Sequence, residues 1–291
     1  MFDAHCHTDC SDGNITIEER IQLVRDLKFE AATITDHDFI STGQVSRAVA
    51  ECGDIPYVPG IELSLSHKGK VVHLLGYFVD PANKKLQEHI TRFQEVDRDI
   101  TLRLLSAFQE KGASFELKDL EASSLHTFYS MQLVRRLARG LYSEAPETLL
   151  PDFLEELENL NLRYADLAPW PVGKAIDLVH QAGGIAVLAH PGGQEDTIMR
   201  ELGFGWHDEE KIRLYVDWGL DGIETRTPVH SESETNFYEE LASRYNLLAT
   251  SGSDCHGDDP YLGPGLMGKF LNLYDGLYEK MLSVLEKSRA R

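Results

Sequence analysis

The sequence predicts an α/β fold in which a parallel sheet or barrel is covered by helices. Apolar runs rich in β-branched residues alternate along the chain with helical periodicities, which is the pattern of successive β–α units. Side chains able to bind metals follow several of these runs, where α/β barrels carry their chemistry. The alternation stops between residues 81 and 171, where the pattern becomes helical. We therefore expect one α/β unit with a helical insertion.

Seven segments have the composition of strands, and helical patterns lie between most of them. The predicted strands are residues 2–7, 31–36, 57–65, 71–78, 184–190, 222–226 and 247–254. The first helix follows Thr16, which can form a capping box with Glu19. Its apolar stripe consists of Ile17, Ile21 and Val24. Further helices are predicted at about residues 44–51, 172–181, 209–218 and 232–245.

The insertion begins with a long amphipathic helix. Its regularly spaced apolar residues are Leu86, Ile90, Phe93, Ile100, Leu104 and Phe108. A second helix is predicted at residues 130–141, and residues 142–167 are acidic and rich in leucine. We expect residues 1–80 and 172–291 to form the catalytic barrel, and residues 81–171 to form a helical cap domain.

Composition and charge exclude several classes of protein. The net charge of −20, from 28 basic and 48 acidic residues, opposes binding of long nucleic acid. No apolar run approaches the roughly 20 residues needed to cross a bilayer. The start of the chain shows no signal peptide. We expect a cytoplasmic protein without a membrane partner, in which the four cysteines, Cys6, Cys10, Cys52 and Cys255, are reduced packing thiols.

Five short segments carry metal-ligand side chains at the ends of strand-like runs. They contain His5, His7 and Asp12; Asp36, His37 and Asp38; Glu62 and His73; His190; and Asp254 and His256. One His-x-His pair is a weak indication, because histidines two apart in a strand simply share a face. Five segments that each follow an apolar run are hard to obtain by chance. The sequence therefore predicts a multinuclear metalloenzyme.

Some of these candidates have a purely structural alternative. His73 could be a buried packing histidine, and Asp12, in Cys-Ser-Asp-Gly, could merely form a turn. Asp36 and Asp38 flank the ligand candidate His37. We expect both to orient that ligand, and we include Asp36 in the predicted catalytic group.

The order of these motifs resembles that of the PHP (polymerase and histidinol phosphatase) family. The matching segments are Asp3-Ala4-His5-Cys6-His7-Thr8, Thr35-Asp36-His37-Asp38, Gly60-Ile61-Glu62, Val72-His73-Leu74, Leu188-Ala189-His190-Pro191-Gly192 and Gly252-Ser253-Asp254-Cys255-His256-Gly257. They cover about residues 1–80 and 172–260. The resemblance implies a distorted (β/α)7 barrel with a three-metal site at its C-terminal mouth.

The resemblance also implies a cofactor of two to three divalent ions held by nine side chains. His5, His7, Glu62 and Asp254 would hold one ion; Glu62, His73 and His190 a second; and Asp12, His37 and His256 a third. Mixed imidazole and carboxylate ligation is compatible with Mn²⁺, Fe²⁺ or Zn²⁺ and does not choose among them.

Such a site can supply a metal-activated hydroxide for attack on phosphorus. The chain contains neither a Gly-x-Ser-x-Gly nucleophile elbow nor a Walker loop. His256 or His230 is the candidate proton donor to the leaving group. His230 lies just past the sixth predicted strand, where similar phosphoesterases also show a histidine; a surface-loop histidine is the alternative.

The resemblance is closest to a subgroup with a helical insertion that acts on nucleotide or short-oligonucleotide phosphates. That subgroup carries an Arg-Pro-His element, whereas the aligned stretch here reads Tyr129-Ser130-Met131-Gln132-Leu133-Val134-Arg135-Arg136. Arg135, Arg136, Arg226 and His230 are the remaining candidates for binding a substrate phosphate, unless the arginines are ordinary helix or loop residues. We predict hydrolysis of a small phosphomonoester.

Four alternative functions remain open at this point. They are a histidinol-phosphate phosphatase, a 5′→3′ exonuclease on short oligonucleotides, a metal-dependent hydrolase of carbon–nitrogen bonds, and a non-catalytic metal-binding module. The intact ligand set argues against the module. No lysine in a strand-end motif suggests the carbamate bridge that many carbon–nitrogen hydrolases use.

Overall fold

Among the residues that the structure describes, six strands form one curled sheet whose order follows the order of the chain. The computed structural model describes residues 1–110, 116–121, 125–133, 155–156, 158–160, 170–193, 206–257 and 272–289. The strands are β1 (Ala32–Ile34), β2 (Tyr57–His67), β3 (Lys70–Tyr77), β4 (Ile185–Leu188), β5 (Gly222–Arg226) and β6 (Leu248–Ser251). The helices are α1 (Ile17–Asp26), α2 (Thr42–Cys52), α3 (Lys84–Glu110), α4 (Val172–Gln181), α5 (Glu209–Asp217), α6 (Glu232–Arg244) and α7 (Leu277–Arg289). The predicted α/β class is confirmed.

Strand β3 runs antiparallel to both of its neighbours, so the expectation of a parallel sheet is wrong at this strand. β2 and β3 are joined by Lys68 and Gly69, whose φ angles are 50° and 75°. Two successive positive φ angles are the geometry of a type I′ turn, which joins antiparallel strands directly. The pairs β1–β2, β4–β5 and β5–β6 are parallel. The sheet is therefore mixed.

Residues 2–7, predicted as the first strand, lie between the two edges of the sheet without forming a regular strand. The backbone N–H of His7 donates to the oxygen of Cys255 at 3.0 Å, just beyond β6. On the other side, the N–H of Thr35 donates to the oxygen of Cys6 at 2.9 Å, just beyond β1. The described residues thus form six strands, whereas the resemblance implied a barrel of seven.

Successive residues of the strands pack into two apolar clusters on opposite faces of the sheet. On β4, Val187 belongs to a cluster that contains Leu277 of α7, whereas Leu188 belongs to a larger cluster that contains Ile176 of α4. All four cysteines are buried, as expected of packing thiols. No helix in the described parts of the chain is long and apolar enough to cross a membrane.

Helix α3 confirms the long amphipathic helix at the start of the insertion. All six apolar positions predicted to form its stripe are buried. Asp97, on the same face, accepts hydrogen bonds from the backbone N–H groups of Tyr129 at 2.7 Å and Ser130 at 3.1 Å. A helical turn occupies residues 129–133, where the second predicted helix begins. Residues 134–141 and most of 142–167 lie outside the described residues, so the division into barrel and cap domain stays a prediction.

Candidate metal centre

The nine side chains predicted as metal ligands lie together at one end of the sheet. His37 follows β1, His190 follows β4 and Asp254 follows β6, so the carboxyl ends of these strands place them at the same edge. Glu62 of β2 and His73 of β3 alternate with residues of the larger apolar cluster and therefore face the other way. Within each of three overlapping groups, the donor atoms lie within 4.8 Å of one another. The groups are His5, His7, Glu62 and Asp254; His37, Glu62 and His73; and His7, Asp12, His37 and His256.

The first group has the spacing expected around a four-coordinate ion. The Nε2 atom of His5 lies 2.9 Å from Oε2 of Glu62 and 3.2 Å from Nε2 of His7. The same Nε2 of His7 lies 3.0 Å from Oδ1 of Asp254. Donors about 2.1 Å from a tetrahedral ion lie roughly 3.4 Å from one another. The four side chains therefore fit the dimensions of one ion.

In the second group, His73 lies at the other oxygen of Glu62, and His190 adds a further donor there. The Oε1 atom of Glu62 lies 3.0 Å from Nδ1 of His73 and 3.2 Å from Nε2 of His190. The two histidine nitrogens are themselves 3.2 Å apart. His73 therefore lies among the other possible donors and not alone in the apolar core. Glu62 has the geometry of a carboxylate that bridges two adjacent ions.

The third group surrounds Asp12. Its Oδ2 lies 3.0 Å from Nε2 of His256 and 3.7 Å from Nε2 of His37. Its Oδ1 lies 3.5 Å from Nδ1 of His7, so the ring of His7 stands between the first and third groups. Asp12 thus does more than form a turn. The distances in this group are somewhat longer than in the other two.

Hydrogen bonds at the far nitrogen fix the orientation of two imidazoles. Nδ1 of His5 lies 3.2 Å from both carboxylate oxygens of Glu224, and Nδ1 of His256 lies 2.8 Å from the backbone oxygen of Asp254. Because these oxygens accept hydrogen bonds, the proton sits on Nδ1 and the Nε2 lone pair faces the donor group. This arrangement suits His256 to a ligand role more than to proton donation.

Buried carboxylates dominate the electrostatics of the centre. Burial lowers the pKa of His5, but Glu62 and Asp254 more than offset that effect and hold the pKa well above its usual range. Burial likewise raises the pKa of Glu62, yet the surrounding histidines hold it well below its usual range. A buried carboxylate cluster requires cations for compensation. Protons and divalent metal ions compete for the same histidine nitrogens here.

Asp36, predicted in the catalytic group, holds the loop that carries Asp12. Its carboxylate accepts hydrogen bonds from the backbone N–H of Thr8 at 2.7 Å and its hydroxyl at 2.6 Å. The hydroxyl of Ser11 donates at 2.7 Å and the side-chain amide of Gln44 at 2.6 Å. Because four donors engage this carboxylate, its position suits support of the loop more than contact with a substrate.

Arg226, predicted to contact substrate, packs against Tyr274. Its guanidinium lies 3.9 Å from the centre of that ring, and its Nε donates to Glu239 at 2.8 Å. Strict alternation along β5 would place Arg226 on the same face as Glu224, but the pairing with β6 shifts register between these two residues. A bulge of this kind re-aims the side chain that follows it. Arg135 and Arg136 lie outside the described residues.

Two supporting residues were not found from the sequence. Buried Arg20 donates to the backbone oxygens of His7 at 2.6 Å and Cys255 at 2.8 Å, and so ties together two loops that carry donors. Asp3 accepts from the N–H of Ser253 at 2.8 Å and its hydroxyl at 2.6 Å. An arginine on the apolar stripe of α1 is a pattern that could have indicated the first of these.

The insertion reaches the metal centre. The ring of Phe128 packs edge-on against His37, with centroids 6.0 Å apart. Nδ1 of His126 donates to the backbone oxygen of Cys10 at 2.7 Å, two residues before Asp12. On the side of the first and third groups, the Asp254 side chain is 24% exposed, so solvent reaches the centre there.

Known proteins resemble this chain over most of its length. It is 29% identical over 259 residues to a phosphoribosyl 1,2-cyclic phosphate 1,2-diphosphodiesterase of Eggerthella lenta, covering 88% of this chain and 94% of that protein. It is 26% identical over 269 residues to the 5′-3′ exoribonuclease Rnm of Salmonella typhimurium, covering 91% and 88%. It is 28% identical over 265 residues to a 3′,5′-nucleoside bisphosphate phosphatase of Chromobacterium violaceum, covering 88% and 87%.

The fold is shared with a solved structure. A proposed metal-dependent phosphoesterase from Bifidobacterium adolescentis superposes with a TM-score of 0.77 at 22% identity, over 97% of this chain and 95% of that one. Together with the donor groups, the named relatives make this protein a metal-dependent phosphoesterase. The family model described as the PHP domain matches residues 3–169, more than half of the chain. The chain therefore belongs to the PHP domain family, as its motifs indicated.

Proposed function

We propose that this enzyme hydrolyses a small phosphomonoester, such as a nucleotide with a terminal phosphate, at a site of two to three divalent ions. The observation that carries the proposal is the position of Glu62. One of its oxygens lies beside His5 and the other beside His73 and His190. A carboxylate shared in this way suits ions close enough to act on one phosphoryl group. The donor set accepts Mn²⁺, Fe²⁺ or Zn²⁺.

Bound divalent ions would lower the pKa of a coordinated water and neutralise charge on the phosphoryl oxygens. The protein contributes the geometry. Glu224 orients His5, and Asp36 holds the loop of Asp12. The exposed side of Asp254 leaves room for a substrate phosphate, while Phe128 covers the neighbouring surface at His37.

Two observations favour a small substrate. The net charge of −20 repels a long polyanion, whereas a short anion is attracted by metal-loaded donor groups. The insertion also places Phe128 directly against a donor histidine, which restricts the approach. The relative from Chromobacterium violaceum is named for a nucleoside bisphosphate, which agrees with a substrate of this size. We also propose Arg135, from the insertion, as a contact for the substrate phosphate.

A 5′→3′ exonuclease acting on short oligonucleotides is the second candidate. The relative from Salmonella typhimurium is named a 5′-3′ exoribonuclease and matches 91% of this chain. The end of a short oligonucleotide presents the same terminal phosphate as a mononucleotide. The two candidates therefore differ in the bond that is broken, which is the terminal phosphomonoester in the first case and the phosphodiester beside the first nucleotide in the second.

A substrate panel separates the candidates. The protein is stripped of metal, loaded with Mn²⁺ and assayed on p-nitrophenyl phosphate, histidinol phosphate, mononucleotides, nucleoside 3′,5′-bisphosphates and short oligonucleotides. We expect selective phosphate release from one class of small phosphomonoester. Release of mononucleotides from oligonucleotides would favour the exonuclease. No turnover of any substrate, with bound metal verified, would contradict both.

A further inference from the structure

The turn that carries His190 is held by side chains of helix α6 and the loop before it. His190 has a φ angle of 24°, in the left-handed region that a residue with a side chain rarely occupies. The N–H of Gly192 donates to Nε2 of His230 at 3.0 Å, and the N–H of Gly193 donates to Glu234 at 3.0 Å. The hydroxyl of Tyr238 donates to the oxygen of Pro191 at 2.7 Å. Strained turns persist where the surroundings over-determine them in this way.

Contact between the turn and His230 is close. A Cβ atom added to Gly192 would lie 2.8 Å from Cδ2 and 2.9 Å from Nε2 of that ring. The turn therefore rests directly on the imidazole. Glycine is required here because the backbone approaches the ring more closely than any side chain allows.

Both nitrogens of His230 are engaged by backbone groups. Nδ1 lies 3.0 Å from the backbone oxygen of Thr225, at the end of β5, and must carry the proton because that oxygen accepts. Nε2 must carry the lone pair, because the N–H of Gly192 donates to it. Burial lowers the pKa of His230, which favours this neutral form. A second proton on Nε2 would displace the bond to the turn.

We propose that His230 is a positioning residue, which fixes the His190 turn against β5, and not the proton donor to the leaving group. The role rests on the proposed function, since His190 is one of its ligands. The imidazole links two backbone segments, Thr225 and Gly192, as a neutral donor and acceptor. His190 is thereby held where its Nε2 meets Glu62.

Two substitutions at His230 test the hydrogen bonds of the two ring nitrogens separately. In His230→Gln, the side-chain oxygen lies as many bonds from Cβ as Nε2 does, so it can accept from Gly192. In His230→Asn, the amide matches Nδ1 and leaves Gly192 without its acceptor. We expect His230→Gln, which keeps the acceptor for Gly192 but loses the donor to Thr225, to retain more metal content and turnover than His230→Asn. We expect His230→Asn to lose roughly 10- to 100-fold in metal affinity or turnover. His180→Gln, which alters a histidine bonded to Asp221 at the opposite end of β5, is the matched control.

The pH profile and the tautomer decide between the two roles. We expect His230→Gln to keep the limbs of the wild-type pH–rate profile, because no proton donor has been removed. In metal-free protein with ¹⁵N-labelled histidine, we expect the His230 ring to be neutral, with its proton on Nδ1, at pH 7. A ring protonated on Nε2, or a glutamine variant as defective as the asparagine variant, would overturn the proposal. If wild-type protein hydrolyses nothing, the proposed function fails, while metal content and tautomer still test the role of His230.

Discussion

Glu224 lies behind His5, with both carboxylate oxygens 3.2 Å from the Nδ1 atom of the imidazole. The same carboxylate accepts from the backbone N–H of His190 at 2.9 Å, so one side chain supports donors of two groups. A carboxylate behind a ligating histidine fixes its tautomer and raises its basicity. Glu224 is therefore a central support of the metal centre.

Glu224→Gln removes this negative charge while keeping the size of the side chain. We expect metal affinity or turnover to fall by about 10- to 100-fold, because His5 loses its charged partner. Metal titration and phosphate release measure the two quantities. Glu239→Gln, which changes the partner of Arg226, is the control. Equal behaviour of the two variants would show that Glu224 does not act through His5.

Phe128→Ala tests whether the insertion selects the substrate. The Phe128 ring lies against His37 but has no atom that can bind a metal ion. We therefore expect the amount of bound metal to stay unchanged while the order of preference among substrates changes. The comparison of kcat/KM across the substrate panel measures this shift. Leu102→Ala, at a position on α3 that is 41% exposed, is the control. Loss of metal from the Phe128 variant would mean that the insertion helps to build the centre itself.

Asp97 gives the stability of the protein a defined pH dependence. Burial raises the pKa of Asp97 to about 6, despite its hydrogen bonds to Ser130 and Tyr129. The native state therefore binds more protons than the unfolded state between about pH 4 and pH 6, and stability falls as pH rises through that range. The size of the shift corresponds to a loss of about 3 kcal/mol.

Asp97→Asn should abolish this part of the pH dependence, since the amide does not titrate. Urea unfolding of both proteins in chelator, at about pH 4.5 and pH 6.5, measures the difference. We expect wild type to lose stability relative to the variant as pH rises. A difference between the two proteins that does not change with pH would contradict the burial of a titrating carboxylate at this position.

The sequence predicted most elements of the fold, because its helices and strands follow apolar periodicity. The capping box of Thr16 and Glu19 is present, and the stripe of α3 is buried as expected. The predicted parallel direction of β3 was wrong, because the direction depends on the Lys68-Gly69 turn and not on the apolar periodicity of either strand. Residues 2–7 have strand composition but lie between two strand ends, where only isolated backbone bonds form.

The donor clusters were predictable because their motifs carry the ligands at strand ends. The residues that hold these donors in place were harder to predict from the sequence. Glu224 lies in a strand that otherwise resembles a buried core strand, and its partner His5 is 219 residues away in the chain. Arg226 was assigned to the site from its position, but a bulge turns it towards Tyr274. Such register shifts depend on pairing with a neighbouring strand and leave no local pattern.

The most direct test of the account compares Asp254→Ala with wild type for bound metal and phosphate release after Mn²⁺ loading. Oδ1 of Asp254 lies 3.0 Å from Nε2 of His7 in the first donor group. The variant His5→Ala tests the same group independently. Asp275→Ala, at a side chain that is 89% exposed, is the control. We expect both site variants to fold, to lose bound metal and to release no phosphate. Near-wild-type turnover in either folded variant would contradict the assignment of this cluster as the catalytic metal centre.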